Sequence, residues 1–263
     1  MTTLKLPKRL ETPSSLSFVL GIVAFALVYT AFTQIGFNFG TILDGAPRIG
    51  RLIDQMFPPN LTRIEMLSKL LWETFLMALC GTVIGIIVSI PMAILAARNL
   101  SSHPAIRFVM RNTISFFRTV PDLIWALVFV ITVGLGPIAG AMTIAIDTIG
   151  FLGKFFAESM EEQDKGPQEA IRTMGGNTLD VTFAAVIPNA MPSFINDSIF
   201  ALEKATRSSV ILGLVGAGGI GIELKVAMDM FNYSTATTII LMIFVLVLSV
   251  EQLSNFLRRK IIK

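Results

Sequence analysis

Cysteine and histidine are nearly absent from this 263-residue chain, where Cys80 and His103 each stand alone. A single cysteine excludes a disulfide framework and a thiolate metal site built within one chain. Cys80 lies in an apolar run, where packing is its expected role, and His103, among basic neighbours, is expected to hold neither a metal nor a proton relay. Charge is also scarce: 15% of residues are charged against 53% hydrophobic, and the mean hydropathy is +0.72. That balance excludes an ordinary soluble domain and describes a membrane protein. No G-x-x-x-x-G-K-[ST] occurs, so the chain has no phosphate-binding loop of its own with which to energise work. The net charge of +3 suggests nucleic acid at first sight, but the basic residues gather at the ends of apolar runs rather than in one stripe. That arrangement is orientation in a bilayer, not nucleic-acid recognition.

What the chain has in quantity is uncharged apolar sequence. Runs of about 20 residues or more suffice to cross a hydrocarbon core of roughly 30 Å. Six spans are expected: about residues 16–37, 72–97, 113–134, 137–159, 191–212 and 235–257. The first is too long for a cleaved signal core and is expected to be retained. Residues 38–69 form a long connection in which Leu52, Ile53, Met56 and Phe57, before Pro58 and Pro59, suggest a segment lying on the interface. The uncharged stretch 123–146 is divided at Gly134-Leu135-Gly136-Pro137, which favours a tight turn over a continuous helix. The third span must then begin near Thr113, with Arg118 low in it. Lys5, Lys8, Arg9, Arg98, Arg107, Arg111, Arg118, Lys165, Arg172, Arg258, Arg259, Lys260 and Lys263 fall on one side, against Arg48, Arg51, Arg63, Lys69 and Lys225 on the other. The excess places both termini in the cytoplasm. Two regions follow: 1–70, a first span with its external interfacial segment, and 71–263, a five-helix core with a cytoplasmic loop over 161–189.

That loop is the one long polar interruption, GPQEAIRTMGGNTLDVTFAAVIP. Gly166-Pro167 starts a helix, with proline at its first position, and Gly175-Gly176 ends it with a left-handed cap. A helix of two turns is too short to stand alone in water and needs a partner or a brace. Asn177 and Asp180 form a capping pair for a second short helix ending before Pro188. The pair makes a hook on the cytoplasmic face. Gly216, Gly218 and Gly221 satisfy G-x-G-x-x-G, but no βαβ unit surrounds them, so a nucleotide fingerprint is rejected. A non-helical turn at membrane depth must be covered by protein or face a water-filled cavity, and Gly216, Gly218 and Gly219 are expected on a translocation path or against a partner.

Glu169-Ala170, Gly175 six positions after Glu169, and the apolar Phe183, Val186 and Ile187 before Pro188 resemble the EAA loop of permease subunits in ABC importers. Ile171, where alanine is usual, and Gly176-Asn177 depart mildly. RSSVILGLVGAGGIG from Arg207, with GLGPIAG from Gly134, resembles the permease of phosphonate-type ABC importers from about Trp72 onward. The resemblance implies an all-α integral membrane protein with six transmembrane helices, a type I (MetI-like) permease core and a cytoplasmic coupling helix. It implies that Pro167, Glu169, Ala170 and Gly175 meet the ATPase, with Glu169 as the polar contact and Gly175 allowing close backbone approach. The implied partners are a second copy of the chain, two cytosolic ATP-binding subunits and a periplasmic or extracellular substrate-binding protein, in the bacterial cytoplasmic membrane. This chain would hold no cofactor; ATP and Mg would be bound by the partner ATPase.

Ionisable residues within spans are costly and are functional candidates. Asp147 and Lys154, seven apart, suggest packing or subunit contacts. Glu203 and Arg207, four apart, can pair within one helix. Arg207, Ser208 and Ser209 are also candidates to line the passage and offer donors to a phosphonate, phosphite or related oxyanion. The rise from Met191 puts Arg207 near the external side. An ion-coupled secondary transporter would need coupling carboxylates at mid-membrane, for which only Asp147 offers itself, and internal repeats, of which there is no sign. An intramembrane hydrolase lacks the paired catalytic groups.

Overall fold

A computed structural model describes residues 15–101 and 103–261, and all of its regular structure is helical. The basic flank Lys5, Lys8 and Arg9, and Lys263, lie outside the described residues. Contacts divide the chain into two units, one ending at Asp54 and the other running from Gln55.

The first unit contains α1 (Ser15–Gln34) and most of α2 (Phe39–Met56). No side chain of α1 is buried, as its uniformly apolar sequence would require of a helix solvated by lipid. α2 is amphipathic: Ile49, Leu52, Ile53 and Met56 recur at helical spacing, with Asp44, Arg48 and Arg51 opposite. The expected interfacial segment is therefore a helix of 18 residues.

The second unit is organised around α3 (Ile64–Ala96), α6 (Pro137–Glu161), α9 (Ile187–Leu214) and α11 (Tyr233–Ile261). α3 begins eight residues before the expected span. Its most extensive neighbour is α6, and small residues bring the two backbones together. A Cβ on Gly81 would stand 2.7 Å from the Ala141 carbonyl oxygen, and one on Gly85 would stand 2.4 Å from Thr148 Cβ. Three apolar clusters follow α3 along its length. Leu67 packs with Ile220, Ala236 and Ile239; Met77 with Ile144, Leu212 and Ala217; Ala93 and Ala96 with Phe156, Met160, Val186 and Phe194. Cys80, expected in packing, is exposed on the outer surface of α3.

The expected third span, continuous from Thr113 to Gly134, is not continuous. It is replaced by α4 (Pro104–Thr119) and α5 (Asp122–Val133), bent at 90° to one another. Val120 is extended, as a residue before proline prefers, and Pro121 cannot donate to the preceding turn. Twelve residues of α5 reach only about 18 Å, less than a hydrocarbon core. Among the described residues, five helices are long and apolar enough to cross a membrane, and six spans result if the bent pair counts as one. Gly134 and Gly136, at φ +100° and +136°, make the expected turn into α6.

Candidate functional site

The hook begins with α7 (Lys165–Thr173). Asp164 caps it, its carboxylate accepting from the Gly166 amide at 3.1 Å. The helix therefore starts before the expected Gly166-Pro167. Pro167 takes the third helical position, still within the first turn, where an amide would have no helical partner. At the other end the Gly176 amide donates to the Ile171 carbonyl and the Gly175 amide to Arg172, both at 3.0 Å. With Gly175 at φ +88°, this is a Schellman cap, and Gly175 alone carries the left-handed conformation expected of the Gly175-Gly176 pair.

A polar network joins this short helix to the ends of α3 and α6. Gln168 is buried beneath it and donates to the Asp164 carbonyl at 3.1 Å. Asn99, past the end of α3, donates to the Met160 carbonyl at 2.9 Å and toward Gln168 Oε1 at 3.5 Å. Glu161, the last residue of α6, accepts from the Arg98 amide at 2.7 Å and pairs with the Arg111 guanidinium of α4. Arg111 also donates to the Ala96 carbonyl at 2.9 Å. An open cleft of about 380 Å³ lies beside the helix, lined in part by Arg98, Glu161, Gln168, Glu169 and Arg172. Glu169 and Ala170 are exposed, and the Glu169 carboxylate has no side-chain partner among the described residues. Met174, Leu179 and Phe183 are each more than 60% exposed beside it, an apolar surface at the polar end of the molecule.

The second half of the hook carries the expected capping box. Asn177 Oδ1 accepts from the Leu179 and Asp180 amides, and Asp180 Oδ2 accepts from the Asn177 amide at 2.8 Å. The helix it starts, α8 (Thr178–Val181), does not end before Pro188. It passes through a π turn (Thr182–Val186) directly into α9. In that turn the Ile187 amide donates to the Thr182 carbonyl, five residues back. The wider turn accommodates the proline ring, which would crowd a carbonyl four residues back. The fifth span and the second hook helix are thus one run, Thr178–Leu214.

At the far end of α9, residues 215–219 form the glycine turn leading into α10 (Ile220–Asp229). The Gly219 amide donates to Glu73 Oε1 at 3.1 Å and the Ile220 amide to Thr74 Oγ1 at 2.8 Å. The Gly136 amide donates to the Gly216 carbonyl at 3.1 Å. Gly218 and Gly219 are buried against this chain's own α6 and α3, while Gly216 is half-buried. Their amides and small surfaces are used within the fold.

The charges on α9 lie between these two ends. Glu203, nearly buried, pairs with Arg207 on its own helix and, at 3.3 Å, with Arg258 in the last turn of α11. Through Glu203, Arg207 therefore meets the basic C-terminal end of α11, seven residues before α9 ends at the glycine turn. Arg207 keeps a half-exposed guanidinium, Ser208 is half-buried, and Ser209 is buried, donating to the Thr206 carbonyl. Asp147 pairs with Lys204 of α9, and Lys154 with Glu158. Asn99, Gln168, Glu161, Arg111 and Arg258 were not foreseen. Most of their partners lie 50 or more residues away, beyond any local pattern.

Residues 89–263 match the family described as binding-protein-dependent transport system inner membrane component. The chain is 42% identical to the phosphate-import permease protein PhnE of Mycolicibacterium smegmatis over 82% of its own length, spanning 41% of that relative. It is 34% identical to the phosphite transport system permease protein PtxC of Stutzerimonas stutzeri, over 92% of this chain and 87% of that one. An inward-facing structure of the MetNI methionine ABC transporter aligns with a TM-score of 0.68 at 20% identity, covering 77% of this chain and 99% of that chain, which shows a shared fold.

Proposed function

The chain belongs to the family of binding-protein-dependent transport system inner membrane components, and on that premise we propose that it is the permease subunit of an ATP-driven importer for a small phosphorus oxyanion. The single observation that carries this reading is the hook: a short helix held to the end of α3 through Gln168 and Asn99, presenting Glu169 and the apolar Met174, Leu179 and Phe183 outward. A helix of nine residues with an exposed apolar flank is suited to a cleft on another protein. The partner is an ATPase subunit, which binds and hydrolyses ATP with Mg. Pro167, Glu169, Ala170 and Gly175 form the contact. Two copies of the permease and two ATPase subunits surround one path, an external binding protein delivers cargo, and both termini of this chain are cytoplasmic.

The names of the relatives, phosphate import and phosphite transport, support a phosphate-, phosphite- or phosphonate-like cargo. Arg207, with its half-exposed guanidinium, and Ser208 are its candidate contacts along the path. Ser209, Gly216, Gly218 and Gly219 shape the wall behind them. An ion-coupled carrier is disfavoured because Asp147, its one candidate carboxylate, is already held by Lys204.

Reconstitution tests the proposal. The chain, with the ATPase and binding protein from its own transport system, is placed in liposomes and supplied with labelled phosphite, phosphonate or phosphate. Uptake should require all components and internal ATP. Uptake by the isolated chain on an ion gradient would overturn it.

A further inference from the structure

We propose that the groove between α4 and the end of α3 binds the headgroup of an anionic phospholipid. The groove, about 790 Å³ and open, is lined by Arg98, Arg107, Arg111 and Asn112 with Pro104, Ala105 and Phe108. Its charge is lopsided. No aspartate or glutamate occurs from residue 99 to residue 121, and the carboxylate that reaches the arginines is Glu161. Glu161 pairs with Arg111 and stands 4.0 Å from Arg98, whose side chain is 71% exposed. The Arg107 guanidinium has no carboxylate partner among the described residues.

The geometry points to lipid as the source of the missing anion. α4 is turned 90° from α5, so the two cannot both follow the bilayer normal, and the amphipathic, arginine-bearing α4 is the one suited to lie along the surface. Phe108, Val109 and Phe116 of α4 are each more than half exposed, as an interfacial helix with its apolar side among acyl chains would have them. The arginines flank that side, where a helix lying on the surface would meet headgroups. A phosphodiester oxygen offers the acceptor that a guanidinium fork matches, and basic clusters beside spans attract anionic lipid. The same groove shares Arg98 with the cleft beside α7, so a bound headgroup would sit next to the brace of the hook.

The full-length protein, equilibrated with vesicles of equal parts phosphatidylcholine and phosphatidylglycerol and released into mild detergent, is weighed by native mass spectrometry. Retention of phosphatidylglycerol over phosphatidylcholine is expected, falling about fivefold for each of Arg98→Gln and Arg107→Gln. Lys69→Gln, already paired with Glu65 on an exposed turn, should leave it unchanged, and Arg107→Lys should preserve most of it, which separates lost charge from misfolding. Equal retention of the two lipids, or a preference untouched by the double variant, would overturn the proposal. Displacement of the lipid by millimolar inorganic phosphate would make the groove a free-anion site and overturn it too.

Discussion

Lys204 donates to both carboxylate oxygens of Asp147, at 2.9 and 2.8 Å, and so clamps α9 to α6 part-way along both helices. Its ammonium also lies 5.2 Å from the centre of the Phe151 ring. Asp147→Asn should strand the cation and lower stability by about 1–2 kcal/mol, a modest figure because Lys204 remains partly open to solvent. Replacing both residues with leucine or methionine should recover most of the loss. A thermal-unfolding double-mutant cycle reads the coupling, and additive single effects would show that the pair contributes nothing.

Glu203 holds two arginines at once, and the consequences of removing each partner differ. Arg207→Ala leaves Arg258 on the carboxylate, so melting temperature should hold while uptake falls at least tenfold. Glu203→Gln leaves two cations without a counter-charge, one with a buried, unbonded Nε on Arg258, and should cost about 3 kcal/mol. Wild-type uptake by Arg207→Ala would remove that residue from the path.

Glu169 is exposed and unpaired, so Glu169→Ala should alter folding by less than about 0.5 kcal/mol. Its effect should appear in coupling: ATP hydrolysis continues while uptake per ATP drops. Normal coupling in this variant would contradict its place in the contact.

A methyl group on Gly219 would lie 2.3 Å from Thr74 Oγ1, the oxygen that accepts the Ile220 amide, at a backbone φ of +73°. Gly219→Ala should therefore cost roughly 2–3 kcal/mol through strain and a broken bond. Gly216→Ala, where only the tip of Leu135 would be met closely, should cost less. Melting curves of the two variants in detergent decide the order.

Hydropathy and punctuation made most of the fold legible, because the bilayer forces long uncharged runs and leaves glycine and proline as breaks. The turn at Gly134–Pro137 and the capping box at Asn177 and Asp180 were both visible in this way. Pro121 and Pro188 show where such reading stops. Each removes one donor, yet Pro121 ends a helix while Pro188 continues one, since the π turn before it supplies the extra room. The site divides along the same line. Gly175 and the Glu203–Arg207 pair lie within a few residues of their partners and Glu169 is unpaired, so their places follow from local sequence. Asn99 under Gln168, Glu161 against Arg98 and Arg111, and Arg258 against Glu203 depend on which helix ends meet, and side-chain type alone does not disclose that.

The uninterrupted helix from Thr178 to Leu214 has a mechanical meaning. Its 37 residues make a strut about 55 Å long that joins the hook at one end to the glycine turn at the other. If such a strut tips by about 10° around its middle, each end sweeps nearly 5 Å in opposite directions, with no side chain needing to relay the signal. Length and stiffness would then set the gain, and the π turn, where the hook runs into α9, would set the compliance.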